Sequence, residues 1–354
     1  MMRRRRLFIL LVGVVLVLGA GGAAVYLRQV NLDRRALEAR EKGMAAAEAG
    51  DHLTALHQIG TYLGRFGLDK DIDALYHYAV ARLRVPEPNG RHIQNAMGVL
   101  LRVLELDPGH TEAQHDLLEL YTAVGYGQET LTLAQRILEA NPDDVAALRA
   151  EAQTLARMRK FNEALERTAK VAKLAPEDLD NHLLSLMLMQ QSGATSDAIL
   201  AYATAQTALD PAGAPYCLLQ AAALDMGGKR AEAQPWLDRA AEAVHDDVPL
   251  LLLLNNFLVR MGRFDSSMQL LERTAATVED LTVTRLLTQR YFELGNVDGV
   301  LEQTGAVAPA EQDTTLLALR ALALARKNTQ PELEGVVTAL AGRTDEPNAQ
   351  AWAK

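Results

Sequence analysis

Residues 145–178 read VAALRAEAQTLARMRKFNEALERTAKVAKLAPED. Leu148, Ala152 and Leu155, then Phe161, Ala164, Thr168 and Val171, follow a helix-like apolar pattern. Pro176 closes the stretch. Proline has no N–H to continue a helix and disfavours helix for the residue before it. The segment therefore reads as a pair of helices about one hairpin long, ended by a stop signal.

The same stop recurs in register. Pro108, Pro142, Pro176 and Pro211 follow LELD, LEAN, AKLA and TALD at intervals of 34, 34 and 35 residues. Twelve residues before each proline stands a small residue: Ala96, Thr130, Ala164 and, displaced by one, Ala198. The series extends to Ala55, Ala233, Ser267 and Val300. A small side chain there lets two helices approach closely. The one long interval, 41 from Ala55 to Ala96, is absorbed by the loop Val85-Pro-Glu-Pro-Asn-Gly90. Gly50, Gly125, Gly228, Gly262 and Gly295 each lie five residues upstream of a small residue, where a left-handed helix end is expected.

This pattern resembles the tetratricopeptide repeat. The positions quoted for residues 145–178 match the family's packing positions. Phe161 and Phe264 open second helices, and Gly50-Asp51, Gly262-Arg263 and Gly295-Asn296 are similar to the family turn. The resemblance covers about residues 36–310. It departs where the family carries tryptophan, which is replaced by Gln114, Leu148, His182, Cys217 and Leu251. It implies an all-α, right-handed helix-hairpin solenoid over residues 36–342, of about eight repeats. A degenerate terminal pair follows over 312–342, with Pro331 starting its second helix. Residues 343–354, with Trp352, form a tail.

The net charge of −9 is unevenly placed. Arg3, Arg4, Arg5 and Arg6 sit at the start, and no acid precedes Asp33. Without those four, the remaining 32 basic and 45 acidic side chains leave −13. So acidic a body would repel nucleic acid phosphates. Residues 7–27 (LFILLVGVVLVLGAGGAAVYL) carry no charge. At about 1.5 Å per residue they make a helix roughly 31 Å long, which matches a bilayer core. The expectation is one transmembrane helix, with residues 1–6 cytoplasmic, 28–35 juxtamembrane, and the solenoid outside the cytoplasm, periplasmic in a bacterium. A signal cleaved near Gly22-Ala23-Ala24 and the reverse topology are the alternatives. Arg5-Arg6-Leu7-Phe8-Ile9 also resembles a twin-arginine signal, although four arginines produce that pair cheaply. Gly19 to Ala23 superficially resembles a dinucleotide fingerprint, but no strand precedes it.

No catalytic pattern emerges. His52/His57 and His110/His115 are five apart, which does not align two ligands on one helix face. Asp143-Asp144 and Asp246-Asp247 sit at expected helix starts, where carboxylates cap free amides. Cys217 excludes an internal disulfide framework and a cysteine cluster, and reads as a small core residue. No cofactor, metal, nucleic acid or small-molecule substrate is expected.

The resemblance places groove positions on the first helix of each repeat. They are polar early (Glu112, His115 and Glu119, then Ala146, Arg149 and Gln153) and apolar across the fifth to seventh repeats. The expected partner groove comprises Leu183, Met187, Leu218, Ala222 and Leu252, edged by Asn256, Arg285 and Gln289. It would receive an extended or helical segment of a protein or peptide. The competing reading is burial, since Leu250 to Leu254 is a run of five leucines. The function expected is a non-catalytic, membrane-anchored scaffold that assembles partner proteins. A periplasmic holding chaperone, and a regulatory subunit of an envelope enzyme or export complex, are the alternatives.

Overall fold

The computed structural model describes residues 2–87, 90–244, 247–308 and 311–342, with side chains from residue 25 onward. The described residues form helices and connecting turns, with no strand among them. The chain divides into two compact units, residues 1–175 and 176–354. The first contains α1 (Met2–Glu48), α2 (His52–Phe66), α3 (Ile72–Arg84), α4 (Arg91–Leu106), α5 (Thr111–Val124), α6 (Gly127–Ala140), α7 (Val145–Arg157) and α8 (Phe161–Leu174). The second contains α9 (Leu179–Gln191), α10 (Ser196–Thr207), α11 (Ala214–Met226), α12 (Arg230–Ala243) and α13 (Val248–Arg260). It continues with α14 (Phe264–Ala275), α15 (Leu281–Glu293), α16 (Val297–Ala306), α17 (Thr314–Lys327) and α18 (Gln330–Gly342).

Within each unit every helix packs on its sequence neighbours. Several odd-numbered helices also meet the next odd-numbered one: α1 with α3, α5 with α7, α9 with α11 and α15 with α17. The small-residue series explains this packing. Ala55, Ala96, Thr130, Ala164, Ala233, Ser267 and Val300 are all buried on even-numbered helices, at most 1% exposed. The eighth member differs from expectation: Ala198 is exposed, and Ile199 fills its place in the core. The turn between α9 and α10 has four residues where that between α7 and α8 has three, which shifts the register by one.

The marker prolines sit in loops ahead of odd-numbered helices, and their carbonyls are held. Pro108 O accepts from Gln114 Nε2 at 2.7 Å, and Pro142 O accepts from Lys170 Nζ. Pro176 O is 2.7 Å from His182 Nε2, and Pro211 O lies 3.6 Å from Cys217 Sγ. Gln114, His182 and Cys217 stand at corresponding places in α5, α9 and α11. Each reaches back six residues to satisfy a carbonyl that the proline turn leaves without a helical partner. Because a carbonyl only accepts, His182 carries its proton on Nε2. Its Nδ1 is then free to accept from the Tyr202 hydroxyl at 2.8 Å. Burial pushes up both the Tyr202 phenol and the Cys217 thiol, so the thiol stays protonated and inert.

All five expected turn glycines have positive φ, between 73° and 89°. In the most regular repeat that position is Arg159, at φ 63°. A non-glycine residue there costs about 1–2 kcal/mol, which the surrounding hairpin must offset. Carboxylate caps are equally regular. Asp144 accepts from Ala147 N at 2.9 Å and Asp247 from Leu250 N at 3.0 Å. Asp143 instead pairs with Lys170 at 3.0 Å, and Asp246 lies outside the described residues.

Residues 28–35 lie inside α1, which is one helix from Met2 to Glu48. Its buried residues begin at Ala36 and Ala39, and Arg65 of α2 donates to Asp33 at 2.6 Å. Among the described residues no helix is long and apolar enough to cross a membrane. The side chains of Arg3, Arg4, Arg5, Arg6 and residues 7–24 lie outside the described set, as does the tail with Trp352.

Asp71 ties α1 to α3. It caps α3 through Ala74 N at 3.0 Å and accepts from Arg40 of α1. Burial raises its carboxyl, but the Arg40 and Ala74 hydrogen bonds outweigh that and hold it below the ordinary carboxylate value. A depressed carboxylate contributes stability that is present above the unfolded pKa and lost as pH falls through the folded one. Asp71→Asn is expected to cost about 1–3 kcal/mol at pH 7. The difference from wild type should shrink as pH falls through the depressed folded pKa and vanish at a pH well below it, where both side chains are neutral. Urea titrations at the two pH values check this; an equal loss at both would show that charge is not the cause.

Candidate functional site

In the first unit the expected groove positions assemble. An open cleft of ≈ 440 Å³ between α5 and α7 is lined by His115, Asp116, Glu119, Arg149, Gln153 and Arg157, among others. Successive helical turns aim these side chains to one face, because residues three and four apart share it. The walls are fixed from behind. His115 Nε2 is 2.9 Å from Asp144 Oδ2, the cap of α7. The Tyr76 hydroxyl of α3 donates to Asp116 Oδ2 at 3.0 Å. Burial, with the Asp116 charge behind it, pushes the Tyr76 phenol well above its ordinary value, so it remains a donor. The Tyr76 ring lies 4.7 Å from the His110 ring, and His110 Nδ1 accepts from Ala113 N at 3.3 Å as the cap of α5. Arg157 donates to the Thr122 carbonyl. Glu119 is exposed and has no ion-pair partner among the described residues.

The apolar groove expected in the second unit is not one continuous stripe. Met187 is 57% exposed and Leu183 and Leu252 are half-buried. Leu218 and Ala222, at 0% and 3%, are core and offer no surface. The reason is that α11 is apolar and alanine-rich around its whole circumference, so its neighbours close over it: nine of its thirteen residues are buried. At the far edge, Asn256 is exposed. Arg285 pairs with Asp313 at 2.9 Å, fixing the cap of α17, and Gln289 donates to Glu293 at 3.1 Å. Of the eight expected residues Leu252 and Asn256 line a common cleft, ≈ 530 Å³ in volume, which runs from the start of α9 to α13. It also takes in Asp180, Pro215 and Pro249, which are groove positions, and Glu177, Leu250 and Leu253, which are not. Glu177 precedes its helix, where a count of helical positions does not reach.

A third depression, ≈ 320 Å³, lies between α4, α5 and α6 over Leu101, Leu117, Tyr121 and Leu133. Among the described residues, no three of His, Cys, Asp and Glu are placed to hold a metal ion.

No family model and no curated protein matches the chain. Solved structures do. A tetratricopeptide repeat protein from Parabacteroides merdae superposes at TM-score 0.53 with 15% identity, over 73% of this chain and 99% of that one. A MamA protein from Desulfovibrio magneticus, from its residue 41 onward, reaches 0.39 with 15% identity, over 59% of this chain and 94% of its own. The second is too distant to carry an argument. At such identity the first speaks for fold alone: the helical hairpins of this chain are of the tetratricopeptide kind.

Proposed function

We propose that this protein is a non-catalytic scaffold that holds partner polypeptides in clefts between its odd-numbered helices. One observation carries the reading. The α5–α7 cleft presents His115, Glu119, Arg149 and Gln153 together from two adjacent hairpins, on walls locked by Asp144 and Tyr76. A rigid, open, mixed-charge surface suits a polypeptide better than a small substrate, which binding sites usually enclose. We further propose that residues 7–27 anchor the chain, with Arg3 to Arg6 on the cytoplasmic side and the repeats at the outer face. The uncharged 21-residue run and the arginine block support that reading.

A photo-crosslinking residue placed at Glu119 or Gln153 in cells tests the binding role. A discrete stoichiometric adduct at both positions is expected. Absence of any adduct at both, or catalytic turnover by the purified chain, would overturn it. Protease digestion of spheroplasts tests the topology. Repeats that survive intact would place them on the other side of the membrane.

A further inference from the structure

We propose that the cleft between α9 and α13 is a docking site for a basic amphipathic polypeptide segment, one whose apolar face is flanked by lysine or arginine. This extends the binding reading to a second surface and does not depend on the α5–α7 cleft.

The apolar part of the argument comes from the leucine run. Leu251 and Leu254 are fully buried, three residues apart on one face of α13. Leu250, Leu252 and Leu253 are left half-buried, and all three line the cleft together with Pro215 and Pro249. Five apolar residues thus form a floor that stays partly open to water, although its three leucines also lean on the core from one side. An apolar surface of this kind, rimmed by polar groups, marks an interaction site.

The charge decides the partner. The cleft lining contains Glu177, Asp178, Asp180 and Asp247, and no lysine, arginine or histidine. Two of these carboxylates cap helices: Asp178 accepts from Asn181 N and Asp247 from Leu250 N. Three helices, α9, α11 and α13, begin at this cleft, and each contributes roughly half a positive charge. The two capping carboxylates already offset that. Glu177 and Asp180 are exposed and have no ion-pair partner among the described residues. They leave the cleft negative. An acidic or neutral apolar segment would bring no compensation for desolvating them, and an anionic lipid surface would be repelled. A segment with basic residues beside its apolar face satisfies both floor and rim, in the manner of an amphipathic helix laid in a groove.

The test uses the full chain in a neutral maltoside micelle, with the empty micelle as blank. Two fluorescent helical peptides of identical pattern serve as probes, one of leucine and lysine, the other of leucine and glutamate. Anisotropy titrations should show the lysine peptide binding at least tenfold more tightly than the glutamate peptide, and weakening in 0.5 M salt. The double variant Glu177→Lys/Asp180→Lys changes only exposed side chains, so it should stay folded, with a thermal midpoint lowered only slightly because lysine opposes the α9 dipole, while losing at least tenfold in affinity. Leu252→Ser/Leu253→Ser should lose as much, and if it unfolds the charge variant alone decides. Unchanged affinity in the charge variant, or equal binding of the two peptides, would overturn the proposal. Lysine-peptide binding that survives the charge variant but is lost on Glu119→Lys would move the site to the α5–α7 cleft. That outcome defeats this inference and leaves the scaffold reading intact.

Discussion

Leu251→Ala is expected to destabilise the second unit by about 2–5 kcal/mol, the range for emptying a packed leucine site. Leu252→Ala, one residue further on, should cost clearly less, because that side chain is partly open to water. The contrast follows from helix geometry. Leu251, Leu254 and Leu258 are spaced three and four apart and point into the core with Leu219, Leu237 and Leu271. Leu252 turns a further 100° or so around the helix, toward the α9–α13 cleft. Leu251 is fully buried within the core cluster that α9 to α15 share, so its cavity would open inside that core. Urea unfolding followed by circular dichroism gives the size of the loss. Two units need not unfold together, so hydrogen exchange of peptides from α11 to α14 locates it. Equal losses for the two variants, or a larger one for Leu252→Ala, would contradict this account of the leucine run.

The fold was legible because its markers are chemical necessities repeated in register. A proline stops a helix wherever it falls, a glycine relieves a positive φ, and a small residue permits close approach. Each leaves a trace in one sequence, and their coincidence at 34 residues identifies the hairpin. The slip at Ala198 shows the limit. One added residue in the α9–α10 turn moved the core position to Ile199, whose size hid it from a search for small residues. Arg159 escaped in the same way, because its left-handed conformation is imposed by the hairpin on either side.

The site was less legible. Counting along a helix gives a direction and not a depth. On α5 the fifth and ninth positions are His115 and Glu119, which stay solvated because their polar ends demand water. On α11 the same positions are Leu218 and Ala222, and small apolar neighbours let the adjacent helices cover them. Periodicity assigned both pairs to one face, and only packing separates them. The acidic rim of the α9–α13 cleft was missed for another reason. Glu177 and Asp247 precede their helices, so a template of helical positions passes over the loops that supply charge.

Gly43→Ala should reverse the usual sign of a glycine-to-alanine change within a helix. In an open helix interior alanine is favoured by about 1 kcal/mol, since it lowers the backbone entropy lost on folding. Gly98, in the middle of α4, is exposed and has nothing within 4 Å of an added Cβ, so Gly98→Ala should gain about that much. Gly43 is buried where α1 crosses α2, and its new Cβ would stand 2.6 Å from Ile59 Cγ1 and 2.9 Å from the Ile59 backbone nitrogen. The side chain of Ile59 is itself fully buried and cannot swing away, and the backbone of α2 cannot yield without moving the helix. Overpacking of this kind costs about 1–3 kcal/mol, enough to cancel or exceed the propensity gain. Gly43→Leu, with three more carbons to place, should separate α1 from α2 altogether. The check is urea unfolding of both alanine variants in parallel, with hydrogen exchange of α1 and α2. A gain of equal size at the two sites would mean that α1 is free to shift on α2. A loss at Gly43 beside a gain at Gly98 would show that this contact sets where α1 meets the first hairpin.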